Sequence, residues 1–195
     1  MKIDEIESKL SAFTVGIAGA GGLGSNCAMA LVRSGIKHLV IADFDVVQAS
    51  NLNRQFYFAD QLGLKKVEAL ALNLYRIKPE LELTLIDKRL APDDIIACFS
   101  DCDVVVEAFD RADQKVMLIE TMTEHLPAIP LVVGSGMAGW GRNELIKTEQ
   151  QDNLYIIGDQ LHEISEQKPP IGPRVGVVAH MQANQVLEIL LGKME

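Results

Sequence analysis

The chain has 195 residues, of which 48% are hydrophobic and 23% charged, values typical of a globular protein. A chain of this length buries roughly 70% of its unfolded surface. We therefore expect a single domain over residues 1–195 that needs neither a disulfide nor a metal to fold. The net charge of −9 repels phosphate backbones and anionic lipids, which argues against a nucleic-acid or membrane-surface binder.

The cysteines indicate a reducing compartment. Cys27, Cys98 and Cys102 are odd in number and form no C-x-x-C pair, so a disulfide framework is not expected. Residues 1–12 lack a basic region followed by an apolar run, and no apolar run in the chain reaches about 18 residues. We therefore expect a cytoplasmic protein that is neither exported nor membrane-spanning.

Short apolar runs alternate with segments of helical period, the pattern of β–α–β units that build a parallel sheet. The predicted strands cover residues 14–18, 38–43, 83–86, 104–107 and 130–134. The predicted helices cover residues 22–34, 64–78, 93–99 and 111–125. Two short strands at 144–148 and 154–157, a loop at 168–174 and a helix at 175–191 complete the chain. The fold class is therefore α/β, with a mostly parallel sheet and helices on both faces.

A glycine-rich turn follows the first predicted strand. Residues 19–24 read G-A-G-G-L-G, a G-x-G-x-x-G pattern. Gly19 permits the tight turn, Gly21 lets phosphate oxygens approach the backbone, and Gly24 lets helix and strand pack closely. The helix that begins at Gly22 supplies free N–H groups to an anion. Asp43, at the end of the second strand, is placed to accept hydrogen bonds from a ribose. The pattern predicts a nucleotide site but fits NAD and ATP equally.

The segment after the second strand separates these two nucleotides. Residues 50–55 read S-N-L-N-R-Q, and residues 63–66 read G-L-K-K at the start of the next helix. Arg54 and Lys66 have no use in a hydride transfer, but they suit the charge that builds on a triphosphate when its α-phosphorus is attacked. An NAD-dependent Rossmann oxidoreductase, argued from the glycine turn and Asp43 only, is the alternative, and it leaves both cations unexplained.

Four motifs in order resemble the ThiF/MoeB family of adenylyltransferases, whose fold is shared with ubiquitin-activating enzymes. They are the glycine turn, D-x-D at 43–45, S-N-L-N-R-Q and G-x-x-K. The stretch 104–111, V-V-V-E-A-F-D-R, resembles the family strand that ends in a magnesium-binding aspartate. Segments 130–136 and 176–189 are also similar to family segments, so the resemblance covers nearly the whole chain. It implies a Rossmann-like adenylation domain.

The resemblance also implies a role for each matching residue. Asp43 holds the ribose, Asn51 and Arg54 hold the triphosphate, Lys66 touches the phosphates, and Asp110 ligates Mg²⁺. The remaining members of the implied ATP site are Gln55, Gly19, Gly21, Gly22 and Gly24. The implied catalytic residues are Arg54, Lys66 and Asp110. The implied reaction is attack by the C-terminal glycine carboxylate of a ThiS-like sulfur carrier on ATP, giving an acyl-adenylate and pyrophosphate in thiamine thiazole biosynthesis.

The chain departs from the family at two places. No cysteine follows Cys102, so we expect neither the family's zinc site, which needs about four ligands, nor a covalent thiol step. Relatives carry an N-terminal arginine that reaches the neighbouring subunit's ATP site, whereas residues 1–13 contain Lys2 and Lys9 but no arginine. We still expect the family's homodimer. A non-catalytic relative that only binds a carrier is the second alternative.

Overall fold

A seven-stranded sheet forms the centre of the molecule, with the order β3-β2-β1-β4-β5-β7-β6. The computed structural model describes residues 1–165 and 167–193. The strands are β1 (Thr14–Ala18), β2 (His38–Ala42), β3 (Glu82–Ile86), β4 (Val104–Glu107), β5 (Leu131–Ser135), β6 (Lys147–Gln151) and β7 (Leu154–Gly158). The helices are α1 (Ile3–Leu10), α2 (Gly22–Ser34), α3 (Lys66–Tyr75), α4 (Pro92–Phe99), α5 (Ala112–His125) and α6 (Gly172–Leu191).

All strand pairs are parallel except β6 with β7, which is antiparallel. This confirms the predicted α/β class with a mostly parallel sheet. Every residue of β4 is buried, as expected for a central parallel strand covered on both faces. Val104 and Val106 pack on the side of α2 and α6, whereas Val105 packs on the side of α4 and α5. The alternation follows from the two-residue period of a strand.

The predicted elements differ from the observed ones in several bounds; for example, α6 begins at Gly172, inside the loop predicted at 168–174, and α3 ends at Tyr75 and not at residue 78. The strand predicted at 144–148 begins only at Lys147, because a 3₁₀ turn occupies Asn143–Leu145 after Arg142 takes a left-handed φ of 52°. Helix α1 was not predicted at all. Its apolar residues Ile3, Ile6 and Leu10 have helical spacing, but the segment has only eight residues and buries only Leu10.

The described part of the chain contains no helix long and apolar enough to cross a membrane. Cys27, Cys98 and Cys102 are free thiols. Burial raises the pKa of Cys27 to about 12, so this thiol is a small core side chain and not a reactive group.

The junction of β1 and α2 sets the position of the whole sheet edge, and it depends on a glycine. A Cβ atom added to Gly24 would lie 1.8 Å from the carbonyl oxygen of Gly19. Helix α2 therefore starts in direct backbone contact with the turn that precedes it. The glycine role predicted at this position matches the contact.

Replacing Gly24 with alanine should lower the free energy of unfolding by about 3 kcal/mol, since the backbone oxygen cannot be avoided without moving the helix. The matched control is Gly176→Ala in α6, where an added Cβ meets no atom within 4 Å. The control should gain up to about 1 kcal/mol from helix propensity. Urea denaturation of both variants measures the difference, and equal stabilities would contradict the contact.

Candidate functional site

A cavity of about 930 Å³ opens at the carboxyl ends of the central strands. It lies where the chain leaves β1 and β4, the adjacent strands at which the strand order reverses. This switch point is where open α/β sheets bind ligands. The predicted site residues that line the cavity are Gly19, Gly21, Gly22, Asp43, Arg54, Gln55, Lys66 and Asp110. Gly24 and Asn51 do not belong to the lining.

The first wall of the cavity is the N-terminus of α2. Gly21 is its N-cap and makes no side-chain capping bond, so the first N–H groups of the helix stay available to a ligand. Aligned peptide dipoles add partial positive charge at this end. A Cβ at Gly22 would meet the Val175 side chain at 2.9 Å, so this glycine also allows α6 to pack close to the cavity.

The carboxylate of Asp43 fastens the loop after β2 to the glycine turn. One oxygen accepts the N–H of Ala20 at 2.7 Å and the other accepts the N–H of Asp45 at 2.8 Å. Burial raises the pKa of Asp43, although the charge of Lys66 and these two N–H donors act to lower it. Each oxygen keeps a second lone pair, so Asp43 can also accept from a ligand hydroxyl.

Lys66 is buried, with 5% of its surface exposed, and its ammonium pairs with the carboxylate of Asp45 at 2.7 Å. The Asp45 side chain is 46% exposed and also lines the cavity. The start of α3 is fixed by the hydroxyl of Tyr57, which donates to the carbonyl oxygens of Ala20 at 2.7 Å and of Lys66 at 3.3 Å. The ammonium of Lys66 is therefore a cation held in a fixed position, and the carboxylate of Asp45 is its ion-pair partner.

Arg54 lines the same cavity, with its side chain close to Gly22 at the start of α2. Its Nη1 donates to the Ser50 carbonyl at 2.9 Å and to Asn53 Oδ1 at 2.8 Å, which leaves other guanidinium N–H groups for a ligand. The backbone of Arg54 is tied to α2, because Asn26 Nδ2 donates to its carbonyl oxygen at 2.9 Å. The backbone that carries the guanidinium is thus anchored to α2, the helix that follows the glycine turn.

The amide side chains of Asn51 and Gln55 differ in their position relative to the cavity. Asn51 Oδ1 accepts the N–H of Gln48 at 2.9 Å, so this side chain caps the local turn and does not line the cavity. Gln55 lines the cavity, and its Oε1 is buried with no hydrogen-bond partner among the described residues. An orphaned acceptor of this kind fits a site completed by a ligand or water.

Asp110 follows β4, is exposed, and lines the cavity. Among the residues that the structure describes, no group of three or more His, Cys, Asp or Glu side chains could hold a metal ion. Mg²⁺ is commonly bound through only one or two carboxylates plus substrate phosphates. The single carboxylate of Asp110 therefore fits magnesium that arrives with a nucleotide and does not fit a closed metal centre.

Cations outnumber carboxylates among the side chains that line the cavity. The basic residues that line it are Arg54, Lys66, Lys88, Arg89, Arg111 and Lys115, and the acidic ones are Asp43, Asp45, Asp110 and Glu163. Three of the cations have carboxylate partners outside the lining, in the pairs Lys88–Asp94, Arg111–Asp113 and Lys115–Glu107. The guanidinium of Arg54 bonds only to neutral oxygens among the described residues, so its charge is available to an anionic ligand.

A buried ion pair under the cavity was missed in the sequence. Glu107 at the end of β4 is completely buried, and its carboxylate pairs with the ammonium of Lys115 and accepts the N–H of Phe109 at 2.8 Å. Lys115 also donates to the carbonyl oxygen of Gly134 at 2.8 Å. No sequence motif marks Lys115, because only the fold brings α5 against the ends of β4 and β5.

A second missed cluster holds the segment after β7. Asp159 is buried and accepts hydrogen bonds from the N–H groups of Leu161 and His162, both at 2.9 Å. It also pairs with the His162 ring and the buried guanidinium of Arg174, which donates to Gly141 as well. Although burial would raise the pKa of Asp159, the N–H donors and His162 keep it below its ordinary value.

Asp159→Asn should lower the free energy of unfolding at pH 7 by about 3 kcal/mol, because it leaves Arg174 buried without a counter-charge. The lowered pKa of Asp159 in the folded protein means that the wild type keeps this stabilisation above the unfolded pKa of about 4 and loses it below. The gap between variant and wild type should therefore narrow in acid.

Chemical denaturation from pH 7 to pH 3 measures that gap. Asp152→Asn, at an exposed turn position with φ 53°, is the matched control and should change stability by less than about 0.5 kcal/mol. A gap of constant size across the pH range would contradict the ionised Asp159–Arg174 pair.

Comparison of the sequence with known proteins gives a family and several relatives. The sequence profile described as the ThiF family matches residues 3–195. The adenylyltransferase and sulfurtransferase UBA4 of Yarrowia lipolytica is 29% identical over 190 residues, covering 90% of this chain and 45% of that protein. The tRNA threonylcarbamoyladenosine dehydratase of Escherichia coli is 35% identical over 125 residues, covering 63% and 46%. The chain thus spans less than half the length of these two relatives.

The molybdopterin-synthase adenylyltransferase of Haemophilus influenzae is 26% identical over 190 residues, covering 95% of this chain and 77% of that protein. Among solved structures, the E. coli dehydratase TcdA in complex with ATP superposes with a TM-score of 0.86 at 21% identity, covering 96% of this chain and 89% of that one. E. coli MccB with AMPCPP and MccA gives a TM-score of 0.72 at 21% identity, covering 95% and 57%. These structures confirm the Rossmann-like fold.

Proposed function

The chain belongs to the ThiF family, and from that premise we propose that it uses ATP to adenylylate the C-terminal carboxylate of a ubiquitin-like carrier protein. The observation that carries the proposal is the placement of Arg54 and Lys66 in one cavity at the switch point of the sheet. The names of the UBA4 and molybdopterin-synthase relatives support the same chemistry.

In this proposal the N-terminus of α2 and Gly21 receive the phosphates, and Asp43 accepts hydrogen bonds from the ribose. Arg54 and Lys66 offset the negative charge that grows as the carboxylate meets the α-phosphate, the largest catalytic requirement when nucleophile and leaving group are both anions. Asp110 holds the magnesium that accompanies ATP. The nucleophile is already ionised, so no general base is needed.

Lys66 must give up or share its bond to Asp45 when a phosphate arrives. The ammonium has three N–H donors, and Asp45 takes one of them at 2.7 Å. Because half-exposed Asp45 can be solvated when the bond is shared, the pair holds the cation in place without closing it to a ligand. We assign Asp45 the role of positioning Lys66.

We propose a ThiS-like sulfur carrier in thiamine thiazole biosynthesis as the acceptor, with the cytoplasm as the setting and a homodimer as the assembly. The proposal for the pathway rests on the resemblance of residues 1–195, proposed as one domain, to ThiF-like proteins. Asn51 is retained as a triphosphate ligand only if the turn that it caps opens on ATP binding.

Three alternatives make different predictions. An NAD-dependent oxidoreductase would be stabilised by NADH and not by ATP with magnesium in a thermal-shift assay, since only a true ligand raises the melting temperature by mass action. A non-catalytic relative would bind the carrier without releasing pyrophosphate. An RNA substrate, as in the name of the E. coli dehydratase relative, is disfavoured by the net charge of −9.

Incubation with ATP, magnesium and a Gly-Gly-ended ThiS-like carrier should release pyrophosphate and add AMP to the carrier, as seen by intact mass. Lys66→Met should reduce the rate about 100-fold, the usual cost of removing one group that stabilises transition-state charge. The matched control is Lys65→Met, because Lys65 pairs with Asp87 on the surface at 2.5 Å and should keep nearly the full rate.

Equal rates for Lys66→Met and Lys65→Met would show that Lys66 does not act in the proposed reaction. Loss of AMP transfer in the wild type with retained carrier binding would favour the non-catalytic alternative. Parallel reactions with a ThiS-like carrier and a molybdopterin-type carrier separate the pathways, since the faster adenylylation identifies the acceptor.

A further inference from the structure

We propose that Lys115 binds the C-terminal carboxylate of the acceptor and holds it for attack on ATP. This inference rests on the proposed function and adds the residue that receives the second substrate. It is carried by the geometry of the Lys115 ammonium, which has two fixed partners and faces the same cavity as the proposed nucleotide ligands.

Two neighbouring groups of the protein hold the ammonium of Lys115 in position. It pairs with the carboxylate of completely buried Glu107 and donates to the carbonyl oxygen of Gly134 at 2.8 Å. A lysine has three N–H donors, so one remains. The side chain is 21% exposed and lines the cavity, which makes the cavity the place where the third donor can find a partner.

The position of Lys115 separates it from the proposed ribose and phosphate ligands, whereas Asp110, the proposed magnesium ligand, follows β4 as Lys115 does. Gly21, Asp43 and Lys66 line the part of the cavity that follows β1 and β2, whereas Lys115 and the stretch 134–137 line the part that follows β4 and β5. A cavity of about 930 Å³ has room for more than one drug-sized ligand. The two parts therefore provide separate places for two anions, a triphosphate and a carboxylate.

The chemistry at Lys115 fits a carboxylate. An N–H of an ammonium forms a short, charge-assisted hydrogen bond with an ionised carboxylate, and a peptide C-terminus is ionised at neutral pH. One oxygen of the bound carboxylate forms the new P–O bond, while the bond from the α-phosphorus to pyrophosphate breaks and its electron pair leaves with pyrophosphate. Lys115 transfers no proton in this step and acts as a binding group.

The competing explanation is that Lys115 serves only as the counter-charge of Glu107. Breaking a buried pair is strongly destabilising in itself, so a single substitution at Lys115 does not separate the two roles. The double variant Glu107→Gln/Lys115→Gln does separate them, because it removes both charges and keeps groups able to hydrogen bond in place of the ion pair.

The experiment compares two forms of one carrier. A recombinant ThiS-like carrier is released from an intein thioester by hydrolysis, to give the free acid, or by ammonia, to give the C-terminal amide. Binding of each form is measured by calorimetry in the presence of α,β-methylene-ATP and magnesium, which prevents turnover. The wild type should prefer the acid by about tenfold, the value expected for one charge-assisted hydrogen bond.

The double variant should bind both forms of the carrier with equal affinity. Lys88→Gln is the matched control, since Lys88 lines the cavity after β3 and pairs with Asp94 at 2.6 Å; it should keep the preference for the acid. An acid preference retained in the double variant overturns the inference. The inference is also overturned if the double variant loses affinity for the acid and the amide forms by the same factor, so that its preference for the acid is unchanged.

The outcomes that would contradict the proposed function differ from those that would contradict the role of Lys115. A wild type that adenylylates the carrier while the double variant retains the acid preference overturns only the role of Lys115. A wild type that prefers the acid tail but releases no pyrophosphate with ATP overturns the proposed catalysis and leaves the carboxylate site supported.

Discussion

Two hydrogen bonds to the carboxylate of Asp43 determine how the parts of the cavity lie relative to one another. This side chain accepts the N–H groups of Ala20 and Asp45, and the hydroxyl of Tyr57 joins Ala20 to Lys66 from the other side. The glycine turn, the loop after β2 and the start of α3 therefore form one braced unit. A cation held in this way needs little reorganisation when charge develops beside it, which is the basis of electrostatic preorganisation.

Most of the fold could be predicted from the sequence because its central strands β1, β4 and β5 are almost completely buried. Strand β4 has the same bounds in the prediction and in the structure, since three consecutive buried valines mark it before the buried Glu107 ends it. The prediction was less accurate at β6 and α1. All of β6 is exposed, so no apolar alternation marks its start. The apolar residues of α1 have helical spacing, but the helix has only eight residues and buries only Leu10.

The site could be predicted where a motif lies along one stretch of chain. Asp43 follows a strand, Arg54 lies in the loop after that strand, and Lys66 begins a helix. The structure brings the three residues to one cavity. Asn51 shares the motif of Arg54 but caps its own turn, because an amide can satisfy the nearby backbone as readily as a ligand. Lys115 could not be found in this way, since its partners Glu107 and Gly134 come from two other elements.

The two edge strands of the sheet affect how this protein can contact other molecules. β6, with the sequence K-T-E-Q-Q, is polar and exposed along its length, and β3 at the opposite border is largely exposed and begins with Glu82. Charged side chains along a sheet border discourage another chain from extending the hydrogen-bonded ladder. Copies of this protein that pair would thus be expected to meet through helices and loops, which keeps the seven strands from growing into a fibre.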